Sequence, residues 1–249
     1  RTEDGKEIRK AIKAQSNEYQ IFSADYSQVE LRVMAHLSGD KSLISALNNG
    51  EDIHTFTAKN IFNVDNDDMV LPEMRRIAKI VNFGIMYGAG PFRLSQELDI
   101  PFGEAKQIKD AYFEKYQGIE KYIENSKLQI KETKSVETLL GRKRAVWDSD
   151  SQNKIRRDAA ERMAINMPIQ GTAAEMIKLA MIKIHRQMNK ENLKSKLIMQ
   201  IHDELLLEVH QDEIDYISKM VIEHMRDAMK LDVPIEIDFG VGPSWYEAH

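Results

Sequence analysis

The sequence predicts an α+β fold in which a helical block is inserted into one strand-bearing unit. Three observations carry this. Residues 19–26, YQIFSADY, alternate as a strand does, and residues 196–209 and 234–242 are again β-rich. Between these ends, residues 72–134 and 153–190 read as predominantly helical. Of the 249 residues, 42% are hydrophobic, 30% are charged and only 12 are Gly and 6 Pro, which suits a packed chain and excludes disordered, collagen-like and low-complexity classes. The strand-bearing ends are therefore expected to meet.

Taken in order, the strand 19–26 leads into a helix expected from Ser27 to Gly39, where Ser27 and Glu30 have capping-box spacing. A helix is expected near Asp52. A long one follows Pro72, which fits a first helical turn, and runs through EMRRIAKIVNFGIMYG until Gly88 and Gly90 end it. Helices continue to about residue 134. VETLLGRKRAVW, residues 136–147, reads as a hairpin turning at Gly141, and 153–190 as helix interrupted at Pro168. KLIMQIHDELLLEV forms two β-rich runs around His202, Asp203 and Glu204, followed by a helix to about Lys230 and a last strand, PIEIDFGVG. No repeat or flexible linker interrupts the chain.

Composition narrows the chemistry. The chain has no cysteine, so disulfides, thiolate metal sites and cysteine nucleophiles are excluded and any metal must sit on oxygen or imidazole; the same lack suits a reducing compartment. No run of 18 apolar residues occurs and the start, RTEDGKEIRK, is charged, so neither a membrane span nor a secretory leader is expected. The net charge of −5 is unevenly placed: residues 203–249 hold twelve Asp and Glu against three Lys and Arg, leaving residues 1–202 with 32 basic and 28 acidic groups. A basic body with an acidic end fits a polyanion binder that holds divalent cations there, and equally a solvated acidic face.

Four patterns can carry chemistry, each with a plainer alternative. On the helix after Pro72, Arg75, Lys79, Phe83 and Tyr87 are four apart and drift only about 120° over about 18 Å of axis. They form one slanted stripe, with Ile77, Ile80, Val81 and Ile85 as the core face. Two cations followed by two aromatics match a triphosphate ending in a flat base, but also a surface Arg and Lys above two half-buried rings. Asp25 closes a strand and Asp203, beside Glu204, sits at a hairpin tip; strand-end carboxylates can converge on magnesium, which is commonly held by one or two carboxylates plus substrate phosphates, or the acidic turn is merely solvated. Arg162, Asn166 and Gln170 line one helix face that could address phosphate, sugar or base edges, or simply face water. The cluster Arg142, Lys143 and Arg144 suits a phosphate backbone or a solvated turn. His54, after Glu51 and Asp52, reads from the residues alone as a helix-start residue.

Three separated motifs then converge: DYSQVELR at 25–32, RRIAKIVNFGIMYG at 75–88 and QIHDE at 200–204, joined by RMAINMPIQGTAAE at 162–175 and a closing W-x-x-x-H at 245–249. In these the chain resembles the polymerase region of the DNA polymerase I family, the family A DNA polymerases, over essentially its whole length. The resemblance implies a palm subdomain with an antiparallel sheet and packed helices, residues 1–51 and 156–249, interrupted by helical fingers at 52–155. It also implies that the thumb, the upstream palm segment and any exonuclease domain are missing.

The implied function is template-directed DNA synthesis, with deoxynucleoside triphosphates and primer-template DNA as partners. The implied cofactor is two Mg2+ ions, replaceable by Mn2+, held by Asp25, Asp203 and the Tyr26 backbone carbonyl. Arg75 and Lys79 would hold the β and γ phosphates, with Lys79 a proton donor to pyrophosphate. Phe83 would pack on the incoming nucleotide, Tyr87 would stack near the template base, and Glu30 would block a ribose 2'-hydroxyl, with Gln28 and His54 also among the nucleotide-binding positions. Arg162, Asn166, Gln170, His202 and Tyr87 would touch DNA, and Glu204 would support the catalytic carboxylates. An intracellular, nucleoid-associated bacterial monomer is expected. Two other classes stay in view: a nucleic-acid-binding fragment inactive by itself, and a metal-dependent nuclease, for which the stripe of 75, 79, 83 and 87 has no use.

Overall fold

The computed structural model describes residues 3–249, and its chain divides into two compact units. One contains the chain up to Val29, Ala173–Leu231 and Ile235–His249; the other contains Glu30–Thr172 and Asp232–Pro234. The sequence reading divides the chain by subdomain at 51/52 and 155/156, whereas compactness divides it inside two helices.

The first unit is built on a four-stranded antiparallel sheet in the order β4-β5-β1-β6. Strand β1 (Tyr19–Tyr26) lies between β5 (Glu204–His210) and β6 (Ile237–Gly242), and β4 (Lys196–Ile201) is the edge. The two ends of the chain thus meet in one sheet, as the strand pattern predicts. Ile21, Phe22, Ser23, Ala24 and Tyr26 are all buried, as a central strand requires, whereas exposure alternates along edge strand β4. The register places Asp25 opposite Glu204 on one side and opposite Asp238 on the other. Helices α1 (Glu3–Ala11), α10 (Ile214–Arg226) and α11 (Trp245–Ala248) accompany the sheet. Ile21, Leu206, Trp245 and Ala248 form a small core under Ile12, Ala14, Met199 and Ile201.

The second unit is helical: α2 (Val29–Ser38), which enters it at Glu30, α3 (Lys41–Asn48), α4 (Ile53–Phe62), α5 (Pro72–Met86), α6 (Pro91–Leu98), α7 (Phe102–Lys115) and α8 (Gln117–Thr133). A small hairpin follows, β2 (Ser135–Glu137) and β3 (Lys143–Ala145), with Gly141 at φ 78° in its turn. Helix α9 (Lys154–Lys190) contributes its first part to this unit and its remainder to the sheet unit. Ile130, Val136, Val146, Ala160 and Ala164 pack the hairpin to α8 and α9.

Several elements depart from expectation. Helix α2 starts at Val29, because Gln28 adopts a left-handed φ of 53°; Glu30 is then the second helical residue, and the Ser27–Glu30 capping-box register is lost. Helix α9 runs unbroken through Pro168. Proline removes one helical hydrogen bond, worth about 3 kcal/mol with its ring clash, but Ala164, Ile165 and Ile169 around it are buried and hold the helix in place. On α5 the buried face is Ala78, Val81, Asn82 and Ile85, while Ile77 and Ile80 are only half-buried. Helix α10 ends at Arg226, before Lys230, and the last strand begins at Ile237, three residues late, because Ile237 pairs with Tyr26, where β1 ends.

Asp40 joins two helices: its Oδ1 accepts from Leu43 N at the start of α3, and its Oδ2 accepts from Gly118 N, 2.8 Å away in the first turn of α8. A Cβ on residue 118 would stand 2.6 Å from Asp40 Cα. Gly118→Ala is therefore expected to destabilise the chain by about 1–3 kcal/mol, read as a lower urea midpoint; an unchanged midpoint would show that the approach is not close in solution.

Candidate functional site

The sheet unit gathers carboxylates at the end of β1. Strand pairing puts Asp25, Glu204 and Asp238 side by side, since residues directly opposite in an antiparallel pair share a face. The two-residue turn His202–Asp203 folds back here: Tyr26 N donates to Asp203 O at 3.3 Å, and His202 holds a left-handed φ of 54° at the exposed tip. Asp25 Oδ1 is buried and has no hydrogen-bond partner among the described residues. Burial first, then the charges of Asp203, Glu204 and Asp238, push the Asp25 carboxyl up to about 7.

Glu204 is held differently. Its Oε1 accepts from Ser23 Oγ at 2.6 Å and Trp245 Nε1 at 2.6 Å, with His249 Nδ1 at 3.3 Å. The closing W-x-x-x-H thus has a visible purpose, to pin a buried glutamate next to Asp25.

Four carboxylates around one buried, unpartnered oxygen form a donor set of the kind a cation would complete. Among the described residues, no group of three or more His, Cys, Asp or Glu is arranged to hold a metal by itself. A magnesium-type ion keeps waters and takes one or two carboxylates plus phosphate oxygens instead of a protein cage. Asp25 and Asp203 are ligands of the type such an ion takes, and the Tyr26 carbonyl directly follows Asp25 in sequence.

In the helical unit, α5 presents its stripe as the spacing predicts. Arg75 and Lys79 are exposed, Phe83 and Tyr87 half-buried, and the two rings stack with centroids 6.3 Å apart. Gly88, at φ 74°, follows and stops the helix. Arg75 is engaged by Asp52, Nε to Oδ1 at 3.0 Å and Nη2 to Oδ2 at 2.7 Å. Burial opposes ionisation of Asp52, but the hydrogen bonds from Arg75 and Thr55 prevail and hold its carboxyl at about 2. The Lys79 side chain has no hydrogen-bond or ion-pair partner among the described residues. Glu30 Oε2 accepts from Tyr87 OH, bringing together two residues 57 positions apart. His54 is buried on α4, its ring 5.7 Å from that of Phe83.

On α9, Arg162, Asn166 and Gln170 share one face because the helix is continuous, Gln170 exposed and the other two half-buried. Asn166 Oδ1 is buried without a partner among the described residues, and Arg162 packs over Gly88, where a Cβ would meet its Cγ at 3.0 Å. Gln28 is half-buried in the tight turn before α2. Sequence reasoning missed Asp238, Asp52, Ser23 and Asn82; only the alternation of PIEIDFGVG carried a signal for Asp238.

Among the described residues no helix is long and apolar enough to cross a membrane. The chain is 46% identical over 248 residues to DNA polymerase I of Bacillus subtilis (strain 168), and 46% identical to the thermostable DNA polymerase I of Thermus filiformis. The matches cover 100% of this chain but only 28% and 29% of those relatives, so the chain spans under a third of their length. The POL domain of Pol1 from M. smegmatis, solved in complex with DNA primer-template and dNTP, superposes with a TM-score of 0.95 at 43% identity, covering all of this chain and 44% of that one. The family model for DNA polymerase family A matches residues 1–247, and the chain belongs to the family A DNA polymerases.

Proposed function

We propose that this chain carries the nucleotidyl-transfer chemistry of a template-directed DNA polymerase. The observation that carries the reading is the buried, unpartnered Asp25 oxygen amid Asp203, Glu204 and Asp238. A carboxylate group of this kind suits a phosphoryl-transfer site, where positioning and charge stabilisation do most of the catalysis. By subdomain, residues 1–51 and 156–249 are the palm and 52–155 the fingers, working as a monomer on primer-template DNA, the partner seen with the solved relative.

Asp25 and Asp203, with the Tyr26 carbonyl, would hold two divalent ions, Mg2+ or Mn2+. When bound, these lower the pKa of the primer 3'-hydroxyl and offset charge on the transferring phosphate and leaving pyrophosphate. Glu204, locked by Ser23, Trp245 and His249, holds its carboxyl group in place beside Asp25. Arg75 and Lys79 bind the β and γ phosphates. The 3'-oxygen forms a bond to the α phosphorus, the bridging bond to the β phosphate breaks, and Lys79 gives a proton to the departing pyrophosphate. Phe83 packs on the incoming nucleotide, Tyr87 stacks by the template base, and Glu30, tethered to Tyr87, fills the space of a ribose 2'-hydroxyl. Gln28 and His54 complete the nucleotide contacts. Arg162, Asn166, Gln170 and His202 bind the primer-template.

Pyrophosphate release tests this directly. It is expected only when primer, template and complementary deoxynucleotide are all present; release without template would instead indicate a nucleotide hydrolase. Lys79→Ala is expected to weaken deoxynucleotide affinity about tenfold, the loss of one charge-assisted contact. Asp52→Asn keeps an acceptor for Thr55 N but releases Arg75, so affinity should tighten by up to about fivefold. Titration calorimetry with deoxynucleotide reads both, and unchanged affinities would remove the α5 cations from the phosphate site.

A further inference from the structure

We propose that Asn82 is a positioning residue: it fixes His54, named above among the nucleotide contacts, as the neutral tautomer protonated on Nε2, and so sets which ring nitrogen offers a proton at that contact. The proposal rests on the nucleotide-binding role given above to the α5 stripe and His54, and assigns the residues that aim that histidine.

Four buried polar side chains form one chain of hydrogen bonds inside the helical unit: His54 and Thr57 on α4, Asn82 on α5, and Tyr116 between α7 and α8. They are 3%, 0%, 1% and 1% exposed. Tyr116 OH lies 2.8 Å from Thr57 Oγ1, Thr57 Oγ1 lies 3.2 Å from Asn82 Oδ1, and Asn82 Nδ2 lies 3.1 Å from His54 Nδ1.

The direction of this chain follows from counting protons. Each hydroxyl has one to give. When Tyr116 donates to Thr57, Thr57 donates to Asn82 Oδ1, and the amide nitrogen, which can only donate, faces Nδ1. Nδ1 must then accept, so a neutral ring carries its proton on Nε2. With the amide reversed, Asn82 Nδ2 would donate to Thr57. Thr57 and Tyr116 would then hold two protons between them with one mutual bond to fill, and one buried hydroxyl would point its proton at nothing. Buried donors are seldom left that way. One Asn82 amide proton is left over in either direction, but only the first gives both hydroxyl protons an acceptor.

The far side of the ring is suited to a phosphate. Nε2 has no protein partner among the described residues, yet it is not one of the buried unpartnered atoms, so it reaches accessible space. Arg75 and Lys79 are near enough to act on the ring: burial lowers the His54 pKa, Asp52 opposes this, and the two cations lower it further, to about 4. A third positive charge beside Arg75 and Lys79 would repel both before any nucleotide arrives. A neutral N–H adds a directional bond to phosphate without that repulsion.

The test is two-bond proton–nitrogen NMR of the histidine rings of this chain, paired with titration of magnesium–dATP. The parent is expected to show an acceptor-type Nδ1 and a protonated Nε2 at neutral pH. Asn82→Asp keeps the acceptor for Thr57 but turns the donor facing Nδ1 into an acceptor. It should move the proton to Nδ1 or charge the ring, and weaken dATP binding about tenfold. Thr57→Val, which adds no charge, should give mixed tautomers and a smaller loss, and it keeps the test open if the aspartate variant folds poorly. A parent protonated on Nδ1, or an Nε2 proton unchanged in both variants, would overturn the relay whatever the chain binds. A tautomer that switches with dATP affinity unchanged, while Lys79→Ala still weakens it, would overturn the phosphate contact alone. A parent with the expected tautomer that binds no dATP would overturn the nucleotide reading and the phosphate contact with it.

Discussion

Replacing Asp203 with alanine is expected to lower the rate of templated primer extension by at least about a thousandfold, since metal-ion charge stabilisation contributes several kcal/mol and each 1.36 kcal/mol is a factor of ten. The side chain sits on a two-residue turn joined to β1 only through its backbone carbonyl, so its loss should leave the β4–β5 hairpin folded. Deoxynucleotide binding should survive in part, because Arg75 and Lys79 belong to α5. The expected signature is thus a collapse in rate at saturating nucleotide with a modest change in affinity. Extension by the variant at the parent's rate would take Asp203 out of the chemistry.

The second large effect concerns pH. An ordinary aspartate ionises near 3.8, but the fold holds the Asp25 proton up to about 7. A raised carboxylate pKa means that ionisation costs the folded state more than the unfolded one. Stability should fall as pH rises from about 4 to about 7 and level off above. Asp25→Asn removes that cost. Partial exposure of Asp25 damps the effect, leaving an expected rise in melting temperature of about 3–6 °C at pH 8 for a chain of this size and no difference at pH 3.5. Magnesium should raise the melting temperature of the parent at pH 8 and not that of Asp25→Asn. Equal response of the two proteins to magnesium would mean that the ion does not bind at Asp25.

Much of the site was legible because its parts are local. The stripe from Arg75 to Tyr87 needs only helical spacing, and Pro72 and Gly88 mark the ends of its helix within a residue or two. Strand β1 and the His202–Asp203 turn follow from alternation and length. What was not legible depends on partners far away in sequence. Asp238 meets Asp25 only through the register of strands more than 200 residues apart, and Asp52 reaches Arg75 across 23 positions. Helix α3 was hidden because eight residues give little periodicity, although Asp40 caps it as its residue type suggests. Pro168 misled in the other direction: a local breaker rule predicted an interruption where buried neighbours hold the helix together. The relay from Tyr116 to His54 joins helices that no short-range pattern links.

The most direct measurement is extension of a labelled primer on four templates differing in the first unpaired base, each offered the four deoxynucleotides singly with magnesium. The expected result is growth by the complementary nucleotide alone on every template, lost with Asp203→Ala. Primer shortening, or addition indifferent to the template base, would contradict a templated polymerase.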